Sequence, residues 1–188
     1  MDTPYLIVGL GNPGREYEDT RHNAGFEVVS LLAERWELEF TAGKGDYLVA
    51  RGQFGDISVI LAKPTTFMNQ SGFAVQGMTS FFKIEVEQLL VIVDDVNILL
   101  GRIRFRSEGS GGGQKGLENI IYQLGREDFT RLRIGVGTED MPEDLTGYVL
   151  GNFRKEEIPV IEEMIVTSAD AVEVFLKEGI EEAMNRFN

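Results

Sequence analysis

At 188 residues, 43% hydrophobic and 26% charged, the chain has the size and make-up of one globular domain over residues 1–188. Its longest apolar run, residues 89–93, is far short of the roughly 20 residues that cross a bilayer, and Met1-Asp2-Thr3-Pro4 opens without the basic segment of a secretory signal. With no cysteine and a single histidine, disulfide scaffolds, cysteine-ligated metal sites and multi-histidine clusters are excluded, no metal is expected, and a reducing cytoplasm is the natural setting.

Tyr5-Leu-Ile-Val-Gly9 is a β-branched apolar run ending in glycine, the pattern of a buried strand. Residues 11–23 are polar and hold Gly11, Pro13 and Gly14, which makes them a loop. Apolar side chains then recur at helical spacing through Phe26, Val29, Leu32, Ala33 and Trp36, predicting a helix over 24–37. Residues 47–53 and 57–62 read as strands of a hairpin turning at Gly55-Asp56, with Pro64 closing the second. Residues 66–82 read as a helix with Phe67, Ala74, Met78 and Phe81 facing inward. The run 89–93 is apolar on both faces, as a central strand covered by helices must be.

Residues 102–106 alternate charged with apolar, a strand with one wet face, and 109–113 form a glycine-rich loop before a short helix over 117–124. Residues 131–137 alternate again, with Arg131 and Arg133 on one face and Leu132 and Ile134 on the other. An acidic loop over 140–144 precedes two helices between 156 and 187 that part near Gly179. The alternation of strands and helices with an early hairpin predicts an α/β three-layer domain whose central sheet is mixed and mostly parallel.

The net charge of −13 argues against promiscuous nucleic-acid binding. The charge is unevenly spread, however. Positions 101–133 carry seven Lys/Arg against four Asp/Glu, whereas the segments on either side are acidic. A solvated face accounts for such a run as readily as a functional patch until something else points there.

Gly9-Leu-Gly-Asn-Pro-Gly14 matches the spacing of a dinucleotide fingerprint, but helical periodicity begins only at Ala24, so no helix opens at the glycines to face a pyrophosphate. Leu89 to Asp95 resembles a magnesium-binding strand without the phosphate loop that such a strand serves, and a turn or helix cap is the expected role of one of its two aspartates. His22 follows the first strand in a polar loop, where a carboxylate at the end of the central strand could hold its imidazole ready to take a proton from water. Asn12 and Asn69 fall at similar strand and helix ends and could donate to a carbonyl and its developing oxyanion. No serine or cysteine sits in a nucleophile elbow, which leaves water as the nucleophile.

Five segments carry a family resemblance: Val8-Gly-Leu-Gly-Asn-Pro-Gly14, Thr20-Arg-His-Asn-Ala-Gly25, Lys63-Pro-Thr-Thr-Phe-Met-Asn-Gln-Ser-Gly72, Val93-Asp-Asp95 and Arg131-Leu-Arg-Ile-Gly-Val-Gly137. In order and spacing the chain resembles bacterial-type peptidyl-tRNA hydrolases from its first strand to its last helices. That resemblance implies a monomeric, cytoplasmic α/β ester hydrolase without cofactor or obligate protein partner. Its substrate would be peptidyl-tRNA, cleaved between the peptide and the terminal ribose. It makes His22 the catalytic base and Asp94 its orienter, and assigns Asn12, Asn69 and Met68 to substrate binding. Tyr17 and Lys115 complete the substrate-binding set. Arg106 and Arg133 would hold tRNA phosphate, giving the basic segment a use.

The chain departs from the family at Gln114-Lys115, where His-Asn is usual. A lysine donates hydrogen bonds but accepts none, so it cannot copy an amide that does both. The departure bears on rate and water placement, and it leaves open a relative that binds RNA without hydrolysing efficiently.

Overall fold

In the computed structural model, which describes residues 2–188, β1 (Tyr5–Gly9) lies at the centre of a sheet that the rest of the chain builds outward. Helix α1 (Ala24–Arg35) leads to the two-residue β2 (Thr41–Ala42) and the hairpin β3 (Tyr47–Phe54) and β4 (Ile57–Pro64). Helix α2 (Ser71–Phe82) crosses back to β5 (Leu89–Leu99), followed by β6 (Ile103–Arg106), α3 (Lys115–Leu124) and β7 (Thr130–Gly137). A short α4 (Leu145–Val149) precedes the long α5 (Ile158–Glu178) and α6 (Ile180–Phe187).

The seven strands are ordered β2-β3-β4-β1-β5-β7-β6. β4, β1, β5 and β7 run parallel, while β3 and β6 oppose their neighbours. Alternation along each central strand divides the core in two. Ile7, Leu90, Ile92, Leu132 and Ile134 pack with α1 and α5, and Leu6, Val8, Val91 and Val93 pack with α2 and α3. This is the expected α/β sandwich with a mixed, mostly parallel sheet between helix layers. No helix among the described residues is long and apolar enough to cross a membrane.

The helix predicted over 66–82 is corrected in two respects. Residues 68–70 form a 3₁₀ turn and α2 starts only at Ser71, so the buried stripe is Ser71, Ala74, Val75 and Met78. Phe67 and Phe81, expected inside, are 57% and 54% exposed. Phe67 stays in extended backbone ahead of the turn, and Phe81 lies at the edge of the buried stripe in the last turn of α2, while Ala74 and Met78 face inward as expected. β2 and α4 have no counterpart among the predicted elements, because two exposed residues and one turn in an acidic stretch leave no hydrophobic period.

Candidate active site

β1 and β5 are adjacent and parallel, with Gly9 opposite Ile92, and their chains leave toward opposite sides of the sheet. Crevices at the carboxyl ends of such strands are where open α/β sheets bind ligands. The start of α1 is drawn into this crevice by two glycines. A side chain on Gly9 would run into the Gly25 carbonyl, and one on Gly25 into the Ile92 carbonyl and the Leu10 amide. These glycines, at the end of β1 and the start of α1, therefore serve close helix–sheet packing, and the 3₁₀ turn Arg21–Asn23 lands beside the end of β5.

That approach brings His22 to Asp94, although 72 positions separate them. His22 Nδ1 lies 2.9 and 2.8 Å from the two Asp94 oxygens, with both residues buried. A carboxylate only accepts, so Nδ1 carries the proton and Nε2 keeps its lone pair toward the cleft that His22 lines. Gln114 Nε2 donates to Asp94 Oδ1 at 3.0 Å, while its Oε1 accepts from the Leu117 amide and caps α3. The same Nε2 lies 3.3 Å from Met68 Sδ. The aspartate is thus held from two directions.

Asn12 is buried and fixed in one orientation. Its Oδ1 accepts from the Met68 amide at 2.7 Å, which leaves the Nδ2 donors for the cleft. Asn23 holds the loop in place by accepting from the Asn12 amide at 2.8 Å and donating to the Asn12 carbonyl at 3.0 Å. Because its side chain is so engaged, Asn23 makes no side-chain cap of α1. Met68 is buried, Asn69 is exposed in the turn after it, and Tyr17 is half-buried; all three line the cleft. Lys115 is exposed at its rim, without an ion pair or side-chain hydrogen bond among the described residues. The opposite wall, formed by Leu145, Thr146, Val149 and Leu150, closes a cleft of about 640 Å³.

Asp95 takes the turn role expected of one member of the aspartate pair, accepting from the Asn97 amide at 2.7 Å. Its other oxygen pairs with Arg133 Nη1 at 3.2 Å. Directly opposite residues of β6 and β7 share a face, so Arg104 beside Arg133 and Arg106 beside Arg131 place four arginines together next to the cleft. They differ in use. Arg131 is fully buried and donates to the carbonyls of Gly109, Ser110, Glu127 and Phe129, pinning the glycine loop. Burial, helped by the neighbouring Arg133 charge, pushes its guanidinium down to about 10, so it stays charged at neutral pH. Arg106 and Arg104 are exposed and have no acidic partner among the described residues; neither they nor Arg133 line the cleft itself.

Arg21 and Asn23 fall in the motif segment 20–25 and Gln114 in the departure at 114–115, but no role for them, or for the 145–150 wall, follows from the sequence pattern. Glutamine is an uncommon helix cap, and the partners of the others are remote in sequence. No group of three or more His, Asp or Glu side chains among the described residues is arranged to hold a metal ion.

The peptidyl-tRNA hydrolase family model matches residues 6–188. The chain belongs to the peptidyl-tRNA hydrolase family. A family member from Chlorobaculum parvum is 50% identical over 184 residues, covering 97% of each chain. One from a Thermoanaerobacter species is 47% identical, covering 98% of this chain and 99% of that one. The crystal structure of peptidyl-tRNA hydrolase from Acinetobacter baumannii superposes with a TM-score of 0.92 at 35% identity, covering 99% and 95% of the two chains. Family membership agrees with the resemblance drawn from the five motifs.

Proposed function

We propose that this protein hydrolyses the ester between a peptide and the terminal ribose of tRNA, with His22 as general base. The observation that carries the reading is the buried pairing of His22 Nδ1 with both Asp94 oxygens, which leaves Nε2 as the basic atom facing a cleft. Water bound at Nε2 gives up a proton as its oxygen attacks the ester carbonyl carbon. The carbonyl π electrons move to oxygen, and Asn12 Nδ2 with the Asn69 amide donates to the oxyanion. Collapse breaks the ester bond, and the proton held on His22 passes to the ribose oxygen. The products are a peptide acid and tRNA with a free hydroxyl.

Met68, Tyr17 and the apolar 145–150 wall hold the peptide end, and Lys115 serves at the rim. Arg106 and Arg133 take tRNA phosphate; their place next to the cleft, linked to it through Asp95, supports a path from phosphate to scissile ester. The intact His22–Asp94 pair supports hydrolysis over an RNA-binding role alone. We assign the protein to the cytoplasm as a monomer, in keeping with a chain free of cysteine. Release of N-acetylated amino acid from charged tRNA tests the reading: wild-type turnover with none from His22→Ala supports it, and absence of turnover by a folded, tRNA-binding wild type overturns it.

A further inference from the structure

Arg21 precedes His22 and takes no part in the chemistry above, yet it is only 5% exposed. A buried guanidinium is costly unless its donors and faces are matched; here Nε has no partner, and every partner of the rest of the group comes from one distant segment. Nη1 donates to the Tyr148 carbonyl at 3.0 Å and Nη2 to Glu157 Oε2 at 3.2 Å. The guanidinium lies over the Tyr148 ring, 4.1 Å from its centroid, with the Phe153 ring at 5.6 Å. The backbone follows suit, since the Arg21 amide donates to the Gly151 carbonyl at 3.0 Å and Thr20 bridges Asn152.

The segment so held is the cleft wall. α4 has five residues, too few to be stable alone, and the side chains of its first residue, Leu145, and of Leu150 just after it are 45% and 38% exposed. Tyr148 turns away from the cleft to stack on Arg21, and its hydroxyl donates to the Val136 carbonyl of β7 at 2.6 Å. We propose that Arg21 is a positioning residue that clamps the 145–150 wall to the His22 turn, so that the peptide end of the substrate is gripped. It acts on substrate binding and not on proton transfer. The proposal rests on the hydrolase reading above for its substrate, but the clamp itself can be tested without turnover.

Arg21→Met, Tyr148→Leu and the double variant are compared with wild type by amide hydrogen exchange of the free protein and by steady-state hydrolysis of N-acetylaminoacyl-tRNA. The clamp requires faster exchange, by about tenfold or more, at the amides of Tyr148, Leu150 and Gly151, with protection in β1 and β5 retained. It also requires KM raised roughly five- to tenfold, kcat changed less than about threefold, and an unmoved pH–rate profile. The double variant should fall short of the sum of the two single effects, because both substitutions break the shared stacking of Arg21 on Tyr148 while each also removes contacts of its own. Glu157→Gln, which keeps the packing and removes the charge, should give a smaller effect of the same kind. It and Tyr148→Leu carry the test if Arg21→Met fails to fold. Protection lost equally across β1 and β5, a fall in kcat at constant KM, or additive effects in the double variant would each overturn the clamp. A wild type that releases no amino acid from tRNA while the exchange pattern appears as expected would overturn the substrate reading and leave the clamp standing.

Discussion

The cleft around His22 and the arginine face of β6 and β7 meet at Asp95, yet they are built on opposite rules. In the cleft, Asp94, the Asn12 Oδ1 and Gln114 have their hydrogen-bonding partners inside the protein, and Nε2 of His22 and Nδ2 of Asn12 are left for the cleft. Groups so fixed cost no reorganisation when charge develops. On the arginine face, Arg104 and Arg106 stand exposed without acidic partners, in a chain that is otherwise acidic. Under the proposed function the buried network would carry the chemistry and the exposed charge the affinity. An excess of negative charge elsewhere would then keep RNA that misses the local patch from binding well.

The sharpest way to break this division is His22→Ala, which should lower turnover by about 10²–10⁴-fold while the protein still folds and binds tRNA near wild type, with Tm lowered because the buried Asp94 keeps only the Gln114 donor. Asp94→Asn should cost as much or less, since it disturbs tautomer and orientation and leaves the imidazole present. Near-normal turnover of a folded His22→Ala protein would remove the mechanism.

Arg133 and Arg106 should separate on a second axis. Arg133→Ala leaves the buried Asp95 carboxylate without its ion-pair partner, so it should lower Tm as well as tRNA affinity, by a destabilisation on the order of a few kcal/mol. Arg106→Ala should leave Tm unchanged and flatten the salt dependence of tRNA binding by about one unit of slope, since one fewer phosphate is neutralised. Equal salt slopes in wild type and the double variant would put the phosphate surface elsewhere.

Gln114→Leu probes the support of the cleft from behind. It removes the α3 cap, worth about 1 kcal/mol, and one of the two side chains that donate to Asp94. With one donor lost, Asp94 holds the imidazole less firmly, so turnover should fall, though less than in His22→Ala. Turnover that stays at the wild-type level would show that Gln114 serves α3 alone. Lys115→Asn should have the smallest effect. Lys115 stands exposed at the rim with no ion pair or side-chain hydrogen bond to lose among the described residues, so turnover should hold or rise. A large loss of turnover would show that Lys115 holds the substrate in a way asparagine cannot.

Local pattern decided a great deal about this protein. The buried β1 and the apolar half of β5 follow from their β-branched runs, the wet face of β6 from its alternation, and the hairpin from Gly55-Asp56. The motif segments also put His22, Asp94, Asn12, Met68 and Asn69 into one set before any coordinates, and the fold brings all five to one cleft. The ends of helices are less legible: Ala74 and Met78 face inward as their period predicts, but Phe67 falls before the helix and Phe81 at the edge of its stripe, because period alone does not say where a helix starts or how wide its buried face is.

What only the tertiary structure decided is which side chains support the set. Gln114 reaches Asp94 across 20 positions, Asn23 reaches Asn12 across 11, and Arg21 reaches Tyr148 and Glu157 across 127 and 136. These pairings leave no local period or spacing in the chain. They arise because the parallel sheet stacks the ends of β1 and β5 side by side and folds the α4 segment back over them. Helical and strand propensities act over a few residues, whereas satisfying a buried charge or amide depends on whatever the whole fold carries to that point.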